Sequence, residues 1–155
     1  MLGGITLIAR TGLAPTLAPG MHTLRVQDLP FLRRVTPFIL KGALPKANPA
    51  AAVFQTLKGI DYALTHVSTP QLELAQQLLD VTASLATRGP LTGVWGDWES
   101  ASDAEVEAFL IRWRDSPLEL LQQGHSALLQ MVQMGWYGQI DAWQHCGYPG
   151  PPALS

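Results

Sequence analysis

Four histidines, His22, His66, His125 and His145, and a single thiol, Cys146, are the side chains here best suited to hold a metal or attack a substrate. On a helix, ligands share a face when they stand three or four residues apart. No histidine has that spacing from another histidine or from Cys146. His145 and Cys146 resemble a base beside its nucleophile, but adjacent helical residues point about 100° apart and do not face each other. One cysteine excludes an internal disulfide and gives no second thiol for a zinc or redox pair. Asp97 and Glu99 could be read as a glycosidase pair, yet loop neighbours do not set the carboxylate separation which that chemistry needs. No glycine-rich phosphate loop follows a strand, and there is no Gly-x-Ser-x-Gly elbow. The expectation is a chain with no catalytic residue, metal or cofactor of its own.

The aromatic residues are more informative. Trp113, Trp136, Tyr137, Trp143 and Tyr148 crowd the last third, preceded by Trp95 and Trp98. Trp113 lies on a helical apolar stripe with Val106, Phe109 and Leu110, which fits core packing. Trp136-Tyr137 stands between Gly135 and Gly138, where a helix should loosen beside a proline-rich tail. Tryptophan and tyrosine are enriched at interface hot spots, and a proline-restricted strand loses little entropy on docking. The expected partner-binding set is therefore Trp136, Tyr137, Trp143, Tyr148, Pro149, Pro151 and Pro152.

The elements that must position these residues follow from caps and periodicity. Residues 1–27 mix Gly, Pro and Thr with apolar residues at no sustained period and read as an extended N-terminal arm. Asp28 with Pro30 opens a helix carrying Leu29, Leu32, Val35, Phe38 and Ile39 to near Leu44, kinked at Pro37. Asn48-Pro49 opens a second, whose apolar stripe is Val53, Leu57, Ile60, Leu64 and Val67. Thr69-Pro70 opens a third with Leu72, Leu78, Leu79 and Leu85. Residues 88–101, with three glycines and a proline, read as a loop. Ser102 with Glu105, and Ser116 with Glu119, form capping boxes for two more helices. The second of these carries Leu121, Leu128 and Val132 towards Met134, and a short last helix falls near Ala142–Cys146. The fold class is all-α, an irregular bundle of five to six helices. The helical domain spans 28–147, the arm 1–27 and a proline-rich extended tail 148–155.

Composition constrains what covers such a bundle. Hydrophobic residues make up 47% of the 155, and charged residues 14%, against about 25% in ordinary soluble domains. So little charge leaves apolar surface for a partner or a membrane face to cover. The net charge of −2 comes from scattered residues, with no basic stripe to neutralise phosphates, so nucleic acid is excluded as a partner. No run approaches the ~20 apolar residues of a membrane span. The opening Met1–Arg10 lacks the charged-then-apolar order of a secretory signal. Arg33-Arg34 echoes a twin-arginine export signal, but sits in the first amphipathic helix and is expected to serve the folded domain.

Three stretches carry a family resemblance: Asp28-Leu29-Pro30-Phe31-Leu32-Arg33-Arg34 through Gly42-Ala43-Leu44-Pro45, Phe109-Leu110-Ile111-Arg112-Trp113-Arg114, and Gly135-Trp136-Tyr137-Gly138 with Trp143 and Gly147-Tyr148-Pro149-Gly150-Pro151-Pro152. In these the chain resembles the small subunits of FAD-dependent glucose–methanol–choline-type alcohol and sugar dehydrogenases, such as those of gluconate and fructose dehydrogenases. The resemblance implies a non-catalytic subunit that binds, stabilises or matures a large flavoprotein, with FAD and the catalytic residues in that partner. It implies a bacterial, membrane-associated setting, cytoplasmic or periplasmic, and a dehydrogenase of hydrophobic alcohols suits a chain this apolar. Many relatives carry a twin-arginine leader at the start, whereas the pair here is internal. The alternative reading is a stand-alone helical carrier of a lipid or other apolar ligand.

Overall fold

The computed structural model describes residues 16–138. Among the described residues the fold is all-α: α1 Leu29–Ile39, α2 Pro49–Leu64, α3 Thr69–Ala83, α4 Leu85–Thr92, α5 Asp103–Arg114 and α6 Glu119–Tyr137. The turns Val26–Asp28 and Trp98–Ser100 are 3₁₀, and Leu17 pairs with Arg25 in an isolated antiparallel bridge.

Local chemistry starts several of these helices where the sequence predicts. Asn48 Oδ1 accepts from Ala51 N at 3.1 Å, and Pro49 follows in the first turn of α2. Ser102 Oγ accepts from Glu105 N at 3.2 Å while Glu105 Oε2 accepts from Ser102 N at 2.8 Å, closing the box that opens α5. Each bond satisfies a backbone donor that the helix leaves unpaired. At α3 the cap is Ser68, one residue before the expected start, and its backbone N donates to Gln71 Oε1 at 3.1 Å.

Elsewhere the chain departs from expectation. Helix α1 ends at Ile39, short of Leu44: Pro37 lies inside it and supplies no N–H, and Gly42 turns the chain away at φ +87°. Ser116 and Glu119 form no capping box. Ser116 Oγ instead accepts from Leu118 N at 3.1 Å, so the helix starts only at Glu119. The expected loop at 88–101 begins as helix. Ser84, in extended backbone with ψ 130°, separates α3 from α4, which runs through Pro90 and ends at left-handed Gly93, φ +81°. Leu85, expected in the third helix, is therefore the first residue of α4.

Residues 16–27 of the expected arm lie on the bundle and send three apolar side chains into the core, while Thr16, Leu17, Pro19 and Gly20 stay exposed. Ala18, Met21 and Leu24 are buried, and the Asp61 carboxylate of α2 accepts from the backbone N–H groups of His22, Thr23 and Leu24 at 2.8–2.9 Å. Asp28 stands at the N-cap position of α1, as the sequence predicts, but its side chain makes no capping hydrogen bond. Its buried carboxylate accepts from Arg25 N and Nε at 2.9 Å and from Nη2 at 2.8 Å, and Arg25 Nη1 reaches on to Asp80 of α3. Enclosing an arginine between two carboxylates compensates its loss of water.

The core has two centres. One is a chain of edge-to-face rings: Phe31 to Trp98 at 4.8 Å, Trp98 to Phe109 at 5.4 Å and Phe109 to Trp113 at 4.9 Å between centroids. Both indoles are anchored, Trp98 Nε1 donating to Thr82 O at 2.7 Å and Trp113 Nε1 to Leu91 O at 2.8 Å. Buried indoles as a rule find such an acceptor, and buried Trp136 Nε1 is the exception among the described residues. The other centre is the α2–α6 contact, the most extensive between helices, where Gly135 lets two backbones approach.

Candidate protein-docking face

Helix α2 has two faces. Val53, Leu57, Ile60 and Leu64 point inward and are buried. On the outer face Phe54, Lys58, Tyr62 and His66 recur every four residues, and all four are exposed. Side chains at this spacing stack along a helix, and here they do. Lys58 Nζ lies 5.6 Å from the Phe54 ring centroid, a cation–π distance. The Tyr62 and His66 rings stand 4.4 Å apart between centroids at 46°. His66 Nδ1 also lies 3.0 Å from Tyr62 O, which holds the imidazole against the end of the helix. Tyr62 keeps 67% of its surface exposed and Phe54 44%.

Beside this stripe runs a groove of about 480 Å³ lined by Gly59, Ala63 and Val67 of α2 and its following turn and by Met134 and Gly138 at the end of α6. Its walls are mostly apolar, with Lys58, Tyr62 and His66 along one edge. Tyr137, 53% exposed, is next to it in sequence at the last turn of α6. The arrangement is an amphipathic surface: rings and methylenes for contact area, with a hydroxyl, an imidazole and an ammonium at the rim. Such a surface offers both apolar contact area and polar groups to a neighbour.

The expected binding residues separate here. Tyr137 is exposed, but it is not among the residues that line the groove. Trp136 is 2% exposed and packs in the core with Leu128, Met131 and Val132 on the inward side of α6. The helix does not fray where the glycines predict it, because Gly135 serves close packing against α2 and keeps the turn helical through Tyr137. Trp143, Tyr148, Pro149, Pro151 and Pro152 lie outside the described residues, as do His145 and Cys146. The Phe54–His66 stripe was missed in the sequence because the stronger apolar period of α2 belongs to its buried face. A four-residue recurrence of Phe, Lys, Tyr and His was the available signal.

Other candidate chemistry stays dispersed. Among the described residues no group of three His, Cys, Asp or Glu side chains gathers as metal ligands, and no helix is long and apolar enough to cross a membrane. His125 is held below its ordinary pKa by burial and by nearby Arg114, against the pull of Asp115. Arg34 has a role in the folded domain, its Nε donating to Ala101 O at 2.9 Å and its Nη2 pairing with Asp103.

No family model matches the chain, and neither a curated protein nor a solved structure matches it.

Proposed function

We propose that this chain is a non-catalytic accessory subunit that binds a larger protein through the outer face of α2 and the end of α6. The observation that carries this reading is the exposed stripe of Phe54, Lys58, Tyr62 and His66 beside an apolar groove. Aromatic side chains left in water carry a free-energy cost that burial against another surface relieves. The low charge of the sequence supports the same reading.

The resemblance to the small subunits of FAD-dependent alcohol and sugar dehydrogenases supplies the partner class: a large flavoprotein that carries the FAD and the catalytic residues. On this reading the small chain stabilises or matures that partner, and a membrane surface is a further neighbour for its apolar residues. The carrier of a lipid or apolar ligand is the weaker reading, because a carrier needs an enclosed cavity and the grooves along the described helices open to solvent. Purifying the tagged chain from its native cell tests the proposal. Co-purification of a flavin-bearing protein of several times its mass supports it; a monodisperse chain without partner or flavin, or one loaded with lipid, overturns it.

A further inference from the structure

Gly89 and Trp95 set up a second exposed point, on the turn between α4 and α5. Trp95 is 74% exposed, yet one face of its indole rests on α4. A Cβ at Gly89 would stand 2.6 Å from Trp95 Cζ3 and 2.7 Å from Cδ2, so only glycine lets the ring lie there. The turn is fixed on both sides of the ring. Val94 is buried and its N–H donates to Thr92 Oγ1 at 3.1 Å, and Trp98 is anchored to Thr82 O. An indole already held by one face has little rotamer freedom left to lose when its other face is covered, which is the condition of an interface anchor.

The segment that follows it carries charge of one sign, although Arg34, Arg88 and Arg112 reach the turn from other elements. Residues 97–107 hold Asp97, Glu99, Asp103, Glu105 and Glu107 and no lysine or arginine, and all five are exposed. Arg34 pairs with Asp103, and Glu105 closes the cap of α5. Beneath the turn lies Arg88, its side chain only 7% exposed. Its Nη2 has no hydrogen-bond partner among the described residues. Asp97 Oδ1 stands 3.7 Å away on a side chain 83% exposed, too far for a hydrogen bond. A buried donor left short of its acceptor is costly, and excluding water from Asp97 favours closing that gap.

We infer that the turn at residues 94–99 is a docking point for a protein surface that offers an apolar pocket to Trp95 and a rim of lysines or arginines to Asp97 and Glu99. Complementary charge sets register and speeds encounter, while the ring supplies the buried contact. The inference goes beyond the α2 face, and either surface can fail alone.

The test is a photoreactive p-benzoylphenylalanine at Gly96 of the full chain, where an added Cβ meets only Ser100 Oγ at 3.6 Å. The expected result is an adduct to another protein, mapped to a peptide with lysine or arginine beside the cross-linked residue. Adduct yield should fall about tenfold in Trp95→Ala and in the Asp97→Asn, Glu99→Gln double variant. Asp97 also faces buried Arg88, so each variant is melted beside the cross-linking, and Glu99→Gln alone, at an exposed side chain, reads binding even if the others melt early. No adduct, an adduct to a second copy of the chain, or a yield indifferent to both variants overturns the inference. An intact Gly96 adduct without flavoprotein co-purification removes the proposed function alone; the reverse pattern removes this docking point alone.

Discussion

Gly135 of α6 sits against Thr56 of α2 so closely that a Cβ at position 135 would stand 2.7 Å from Thr56 O and 2.9 Å from Ile60 N. Neither neighbour is a flexible side-chain end, so neither can give way without moving the helix. This contact fixes how far the end of α6, and with it Tyr137, stands from the aromatic stripe of α2. Gly135→Ala is therefore expected to destabilise the fold by about 2–3 kcal/mol, despite alanine's higher helix propensity. Urea unfolding measures it, and an unchanged or stabilised midpoint would show that the helices do not meet as described.

Asp61 ties residues 22–24 to α2. Burial works to raise its carboxyl pKa, but the N–H groups of Leu24, His22 and Thr23 and the Thr23 hydroxyl outweigh burial and hold it below the ordinary value. A lowered folded-state pKa adds stability that is complete above about 3.9, the ordinary aspartate value, and is lost as pH falls through the folded value. Asp61→Ala leaves those buried donors without an acceptor and should cost about 3 kcal/mol at neutral pH. Asp61→Asn should flatten the acid limb of the stability–pH curve. Equal acid sensitivity in Asp61→Asn and the parent chain would remove this account of the clasp.

Trp98 joins three parts of the core, packing on Phe31 and Phe109 and donating to Thr82 O. Trp98→Phe keeps a ring in place but orphans that carbonyl and leaves a slot, at a cost of about 2 kcal/mol. Trp98→Ala should cost about 4 kcal/mol. Thermal melts of the two variants rank them, and a phenylalanine variant as unstable as alanine would assign the energy to the hydrogen bond rather than to the rings.

The helices were legible where the signal is local. Asn48 and Ser102 carry their own acceptors, and the inward stripe of α2 repeats at helical spacing, so cap and face could be read directly. What was not legible depends on distant partners. Asp28 holds the N-cap position of α1, yet its carboxylate is taken by Arg25, which reaches on to Asp80 of α3. Ser84 gives no strong break signal, although its backbone separates two helices. Pro90 reads as a loop residue, yet it is carried inside α4, which Gly93 closes and Trp113 Nε1 meets at Leu91 O. The candidate face shows the same limit. Trp136 reads in the sequence as a ring beside a loosened helix end, but it faces the core for a reason that lies on α2. The aromatic residues on the outer side of α2 were hidden by the stronger periodicity of its inner side.

The central claim is that the outer face of α2 binds a protein partner, and Tyr62 is its most exposed ring, 67% in water and in contact with His66. Tyr62→Ala combined with Phe54→Ala removes exposed contact area and only the local contacts with Lys58 and His66, so the melting midpoint should stay within a few degrees of the parent's. The decisive measurement is the affinity of this double variant for the flavoprotein proposed as its partner, by titration calorimetry beside the parent chain. The account predicts at least about 30-fold weaker binding, near 2 kcal/mol, with an unchanged melt. Parent-like affinity in the folded double variant would contradict it.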